Sequence, residues 1–162
     1  MAYSDVSNIL WRERQLLELL QFKLEVEQSL LATGRTRWLS HATREIEMLI
    51  DEVKQVELAR AFEVSALCRE MGVEETPTLK SLVDVLPSPW DGIFEEHRQA
   101  FLQATQEIVG LAETNRELLA RGYTAAREAL AVLGAERVET YGPGGLSVAR
   151  SGQLTRLLDE VM

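Results

Sequence analysis

Apolar residues recur every three or four positions along most of this chain, and short stretches rich in glycine, proline or polar residues separate the repeats. Such spacing gathers the apolar side chains on one side of an α-helix, so it predicts amphipathic helices. The predicted helices span residues 5–33, 38–71, 77–86 and 89–133. We therefore expect an all-α fold, with three long helices and one short one.

The first two helices each carry a seam, meaning a row of apolar positions at alternating steps of three and four. In the first helix the seam contains Leu10, Leu17, Leu20, Leu24 and Leu31, with one step skipped after Leu10 and another after Leu24. In the second it contains Leu39, Ala42, Ile46, Leu49, Val53, Val56 and Leu67, interrupted by Arg60 and Glu63. A seam this regular is typical of a coiled coil. Gly34 and Gly72 follow the two helices as predicted stop signals.

Two proline-containing turns bound the short third helix. Thr76 is a predicted cap with Pro77 in the first helical position, and Pro87-Ser88-Pro89 ends this helix and begins the next. The seam of the fourth helix includes Trp90, Phe94, His97, Phe101, Ala104, Ile108, Leu111, Asn115, Leu118, Gly122, Ala126, Ala129 and Leu133.

The predicted helix lengths do not match. At 1.5 Å per residue the last helix is about 66 Å long, against about 42 and 50 Å for the first two. We therefore expect an elongated antiparallel bundle in which the last helix overhangs its neighbours. An apolar seam without an internal partner predicts a surface that binds another helix.

Asn115 interrupts the seam of the last helix with a polar side chain. A polar residue at such a position reduces stability, and its best-attested use is to fix the register of the helices. Recognition of a partner is the alternative that the sequence leaves open.

Charge and composition exclude several classes of function. The net charge is −9, and no stripe of Lys and Arg is present, which argues against a nucleic acid or an anionic membrane as partner. Cys68 is the single cysteine, so an internal disulfide is excluded. We expect no signal peptide and no membrane-spanning segment, and hence a cytoplasmic protein without direct membrane insertion.

The sequence offers little for catalysis or metal binding. His41 and His97 are the only histidines, and neither has Glu three residues before it, as a di-iron helical bundle would require. We interpret His97, which lies between Phe94 and Phe101 on the seam, as a core or interface histidine. No catalytic residue, metal site or cofactor is predicted, and the protein is not expected to be an enzyme.

The chain changes character after Gly134. We predict a helical bundle over residues 1–134 and a flexible tail over residues 135–162. The tail contains a glycine-rich turn around Tyr141 and a short amphipathic segment at residues 151–162. Such a short segment does not hold a helix alone in water, so whether it packs on the bundle is left open.

The order of these features resembles the FlgN family of flagellar type III export chaperones. The similarity runs through Glu45-Ile46-Glu47 in the second helix and Glu107-Ile108, Asn115 and Leu118-Leu119 in the long helix. It continues to the Tyr141-Gly142-Pro143-Gly144 turn. It covers most of the chain, and the Asn-x-x-Leu-Leu run followed by the Tyr and Gly turn is its most telling part.

The resemblance implies a cytosolic chaperone of the hook-associated subunits, which join the flagellar hook to the filament. Such a chaperone takes up the C-terminal amphipathic helix of the subunit and delivers it to the cytosolic domain of the export gate. Together with the overhang, it predicts a cargo-binding surface at Leu111, Asn115, Leu118, Leu119, Ala126 and Leu130. By resemblance, Tyr141 is the predicted gate-docking residue.

A structural or adaptor coiled coil without an export role is the alternative. Such a protein would form a stable homodimer through the long seam, whereas an export chaperone would be monomeric or weakly self-associated when free.

Overall fold

A computed structural model describes residues 2–75 and 78–132. Its elements are α1 (Ala2–Ala32), a short 3-10 turn (Thr36–Trp38), α2 (Leu39–Met71), α3 (Leu79–Val83) and α4 (Trp90–Val132). Every regular element in these two ranges is helical. The all-α fold with three long helices and one short helix is therefore confirmed.

Both predicted glycine stops end a helix. Gly34 and Gly72 have φ of +68° and +69°, the left-handed conformation that glycine adopts without steric cost. At Gly72 the backbone N–H returns to the carbonyls of Cys68 and Arg69, which satisfies the end of α2. Both helices therefore end at the glycines that the sequence predicted as stop signals.

The predicted bounds of α3 were too wide. The helix begins at Leu79, and its cap is Thr78, whose side chain accepts a hydrogen bond from the backbone N–H of Ser81 at 3.1 Å. Thr76 and Pro77 lie outside the described residues. After Val83 the chain continues in turns closed by hydrogen bonds between residues three apart. In one of them, Leu86 N–H donates to the Val83 carbonyl at 3.3 Å. These turns explain why the apolar pattern reaches Leu86 although the α-helix does not.

Successive long helices run antiparallel, so α1 and α4 are parallel to each other. The register is visible in side-chain pairs. Tyr3 stacks on Trp90 at one end with ring centroids 5.4 Å apart, and Glu27 bonds to Asn115 near the other end. Against α2 the order reverses, because Glu13 contacts Arg60 while Lys23 contacts Glu45. α1 packs against both α2 and α4, and α3 packs on α4.

One apolar core runs along the bundle. Its fully enclosed apolar side chains come from all four helices and include Leu10, Leu17, Leu20, Leu24, Ile46, Leu67, Leu82, Phe94, Phe101 and Ile108. Cys68 is buried among them. The predicted seams therefore face one another.

A buried ion pair joins α1 to α2 within this core. Nη1 of Arg60 donates to both carboxylate oxygens of Glu13, at 2.9 and 3.0 Å, and its guanidinium carbon lies 5.9 Å from the ring centroid of Phe101 on α4. The Glu13 and Arg60 side chains are only 2% and 11% exposed. Glu13 occupies the first step that the apolar seam of α1 skips, between Leu10 and Leu17. The polar interruptions of the first two seams therefore meet each other.

Removing one partner of this pair should be costly. Arg60→Met removes both Arg60 hydrogen bonds from the buried Glu13 carboxylate, so we expect a loss of about 3–5 kcal/mol in the free energy of unfolding. Glu13→Leu combined with Arg60→Met removes both charges and should recover most of the loss. Denaturant unfolding followed by circular dichroism measures both variants. Equal destabilisation by the single and the double substitution would contradict the account.

His97 joins α4 to α1 at a second polar contact. Its ring nitrogens lie 3.4 Å from Ser7 Oγ and 3.4 Å from Arg14 Nη1, and the Trp11 ring packs nearly perpendicular to it with the ring centroids 5.0 Å apart. Arg14 can only donate, so Nδ1 accepts and Nε2–H donates to Ser7. The side chain is 1% exposed. Burial, followed by the Arg14 charge, lowers the pKa of His97 to about 4.

This pKa predicts an acid-sensitive bundle. The folded state favours neutral His97, so the stabilising contribution is complete above the unfolded pKa of 6.5 and is lost as the pH falls towards 4. Between pH ~7 and ~4.5 we expect His97 to account for a loss of about 2 kcal/mol in the free energy of unfolding. His97→Gln, which does not titrate in this range, should show a smaller loss over the same interval. Identical pH profiles for the two proteins would exclude this role for His97.

Candidate functional site

The last buried layer of the bundle is polar and joins the three long helices. Asn115 Nδ2 on α4 donates to the Leu24 carbonyl at 2.9 Å and to Glu27 Oε2 at 3.0 Å, both on α1. Thr43 Oγ1 on α2 donates to the other Glu27 oxygen at 3.1 Å. The chain Asn115–Glu27–Thr43 therefore fixes the three helices at one height.

Asn115 consequently has a structural role within the bundle. The residue is 4% exposed, and its amide nitrogen donates both of these hydrogen bonds to α1. Its Oδ1 atom is buried and has no hydrogen-bond partner in the described part of the chain. This geometry agrees with the register interpretation of the polar interruption, because the amide can satisfy Glu27 at only one height along α1.

Beyond this layer α4 continues without its neighbours. Because Glu27 lies opposite Asn115, the end of α1 at Ala32 falls near residue 120 of α4, and α2 starts at a similar height. No side chain from residue 116 to residue 132 is buried. Residues 120–132, the α4 extension, therefore project past the bundle by about 20 Å. The overhang expected from the helix lengths is present.

The side of α4 that faces the bundle remains apolar along the extension. Phe101, Ile108 and Asn115 lie seven residues apart and are buried. Continuing at steps of four and three from Asn115 gives the extension face, which consists of Leu119, Tyr123, Ala126 and Leu130. Leu119 and Tyr123 are half-buried, and Leu130 is 43% exposed. The row that is buried against α1 lower down is thus open to a partner here.

Tyr123 is a residue that the sequence analysis missed. The predicted seam ran through Gly122 instead, although the spacing from Leu119 through Tyr123 to Ala126 carried the signal. Arg127 lies over the Tyr123 ring, with its guanidinium carbon 5.9 Å from the centroid. Tyrosine offers a large apolar area together with a hydroxyl, a combination enriched where proteins bind each other.

The six predicted cargo-binding positions extend from the core to the free extension. Leu111 is half-buried and packs against the core. Leu118 and Leu119 are half-buried where the bundle ends, while Ala126 and Leu130 are exposed on the extension. With Asn115 inside the last layer, only the distal members of the set are available without opening the bundle. Tyr141 lies outside the described residues.

Within residues 2–75 and 78–132, no group of three or more His, Cys, Asp or Glu side chains is arranged to hold a metal ion. His41 packs beside Trp38, with ring centroids 5.8 Å apart, and His97 is enclosed in the core. None of the helices in the described ranges is both long enough and apolar enough to cross a membrane. What the far end of the bundle offers is an apolar helix face.

Comparison with known families and proteins gives one match. The model of the FlgN protein family matches residues 1–148, which includes the whole bundle and the Tyr141 turn. No curated protein and no solved structure matches the chain. A match over this much of the chain establishes the family, and the resemblance carried by the Asn-x-x-Leu-Leu run is confirmed. The chain belongs to the FlgN family, the flagellar export chaperones.

Proposed function

We propose that this protein is a cytoplasmic chaperone that holds flagellar hook-associated subunits by their C-terminal amphipathic helix and delivers them to the export gate. The observation that carries the proposal is the α4 extension, a helix whose bundle-facing side stays apolar after α1 and α2 have ended. Membership of the family supports the chaperone role, and the geometry of the extension suggests how the cargo is held.

The extension is suited to an amphipathic helix. Lower in the bundle, the same side of α4 packs against neighbouring helices, above all α1, and Phe101 and Ile108 are buried there. A cargo helix laid beside residues 119–130 would take the place of these neighbours and continue the three-and-four packing. About three turns of helix, or roughly 16 Å, would cover the extension face. The cargo therefore needs an apolar row about as long as this face.

Leu119, Tyr123 and Leu130 are the expected anchors. Full burial of a large apolar side chain contributes about 1.5–3 kcal/mol. Leu119 and Tyr123 are half-buried and Leu130 is exposed in the free protein, so a cargo helix would bury further apolar surface at all three. Arg127, whose guanidinium lies over the Tyr123 ring, borders the face and could reach acidic groups on the cargo helix. Leu111, Leu118 and Asn115 would support the anchors from the end of the bundle, where Asn115 holds α4 against α1.

Cargo binding by the extension face can be tested without disturbing the core. Ala126→Asp with Leu130→Asp places two charges on the extension face, and both residues are exposed. We expect the dissociation constant for a purified hook-associated subunit to rise at least about 100-fold, because the charges would be buried unpaired. Titration calorimetry gives this value, and circular dichroism should show the helix content unchanged.

The matched control for this experiment is Leu19→Asp on the outer side of α1. Leu19 is 42% exposed, close to the 43% of Leu130, so the two substitutions perturb similar surfaces. The control should leave cargo affinity within about twofold. Wild-type affinity in the Ala126→Asp, Leu130→Asp protein would show that cargo binds elsewhere.

For gate docking we propose Tyr141, on the basis of the family resemblance alone. Tyr141→Ala should reduce secretion of the cargo and binding to the cytosolic domain of the gate by about tenfold or more, since an aromatic anchor is lost. Tyr141→Phe keeps the ring and should retain most of both. Affinity for the purified cargo should be unchanged in each variant. Normal secretion with Tyr141→Ala would reject the assignment.

A further inference from the structure

On the side that faces away from the bundle, α2 carries a second row of positions with coiled-coil spacing, apolar at its centre and polar or charged towards both ends. The steps from Asp51 onward alternate four, three, four, three and four, which is the spacing of a coiled-coil contact. This outer seam of α2 consists of Asp51, Gln55, Leu58, Phe62, Ser65 and Arg69. Its two central members, Leu58 and Phe62, are each 67% exposed. Two large apolar side chains one turn apart form an apolar patch at the middle of the helix.

The order of residues along the outer seam is self-complementary. Reading outward from the point between Leu58 and Phe62, Gln55 is matched by Ser65, and Asp51 is matched by Arg69. A two-fold axis through that point would place Leu58 of one copy against Phe62 of the other. It would also bring each Asp51 to the Arg69 of the other copy. An isologous contact requires this kind of mirrored pairing.

Charge selects the direction of pairing. In a parallel arrangement Asp51 would face Asp51 and Arg69 would face Arg69, whereas the antiparallel arrangement converts both into attractive pairs. The existing contacts leave these groups capable of pairing. Asp51 is 75% exposed and lies 3.6 Å from Lys54, and Arg69 uses its Nε to donate to the Ser65 carbonyl at 3.3 Å. The remaining guanidinium N–H groups of Arg69 can donate to a partner.

We propose that a second copy of this chain docks on the outer seam of α2, forming an antiparallel, two-fold symmetric dimer centred between Leu58 and Phe62. The dimer contact uses the side of α2 that faces away from the core, so the α4 extension is not part of it. It therefore leaves the extension face free for cargo. It also differs from a coiled-coil homodimer through the long α4 seam, which is the form of self-assembly that the alternative function would use.

The interface is small, so the association should be reversible. Sedimentation equilibrium of the full chain should show dimer at about 100 µM and monomer at concentrations about 100-fold lower. Phe62→Gln should weaken the association about tenfold or more, because the central apolar contact is lost from both halves. Leu130→Asp, on the α4 extension, is the control and should leave the association unchanged.

A charge exchange tests the antiparallel geometry. Asp51→Arg alone and Arg69→Asp alone each place like charges opposite one another, so each should weaken self-association about tenfold. In an equimolar mixture, both arginines of the first variant's seam face both aspartates of the second variant's seam. The mixture should therefore form a heterodimer with at least wild-type affinity. A mixture no tighter than the separate variants, or a dimer indifferent to both substitutions, would overturn the proposal.

A photo-crosslinking amino acid at position 62 identifies the occupant directly. The proposal requires crosslinks between two copies, at residues around Leu58. Crosslinks from position 62 to residues 133–162 of the same molecule would assign the outer seam to that segment instead. A full-length chain that stays monomeric at about 100 µM and gives no intermolecular crosslink would also overturn the proposal. Neither result bears on the extension face, which the cargo titrations test separately.

Discussion

Buried polar contacts set the register of this bundle, and the rest of the architecture depends on that register. An apolar seam by itself tolerates sliding, because one leucine layer resembles the next. The contacts Ser7–His97, Glu13–Arg60 and Asn115–Glu27–Thr43 lie at three heights and each admits one alignment. Moving α4 by one turn would separate His97 from Ser7 and Asn115 from Glu27, at a cost of about 1–3 kcal/mol for each contact.

The fixed register creates the open surface at the far end. Because Tyr3 is aligned with Trp90 and Glu27 with Asn115, the 43 residues of α4 cannot be matched by the 31 residues of α1. The excess length must all appear beyond Ala120, where the apolar row continues. The polar layer at Asn115 lies immediately before the extension, and it holds the base of the projecting helix rigidly. A helix presented in this way is pre-organised for a partner.

The sequence was sufficient for the fold because seams and caps are local signals. Gly34 and Gly72 end their helices, and the overhang followed from helix lengths alone. A contact between residues that are distant in sequence leaves no local signal. Glu13 looked like a skipped step and Arg60 like an interruption, since a single sequence does not reveal which polar position on one helix meets which on another.

The candidate site was less predictable than the fold. Over a long helix, a strict seven-residue repeat and the 3.6-residue turn drift apart, so the choice between Gly122 and Tyr123 needed the observed burial. Asn115 was recognised as a register residue, but its partners Leu24 and Glu27 lie about 90 residues away and could not be identified. For α3, Thr76 was the predicted cap, whereas the helix is capped by Thr78, two residues later.

The central claim is that the α4 extension receives the cargo helix, and hydrogen exchange measures this most directly. Amides of residues 119–132 should exchange rapidly in the free protein, because no side chain there is buried. Saturation with a hook-associated subunit, or with a peptide of its C-terminal helix, should slow exchange in this segment. Exchange along the outer seam of α2 should stay the same at constant dimer content. Unchanged exchange in residues 119–132, with new protection elsewhere, would contradict the account.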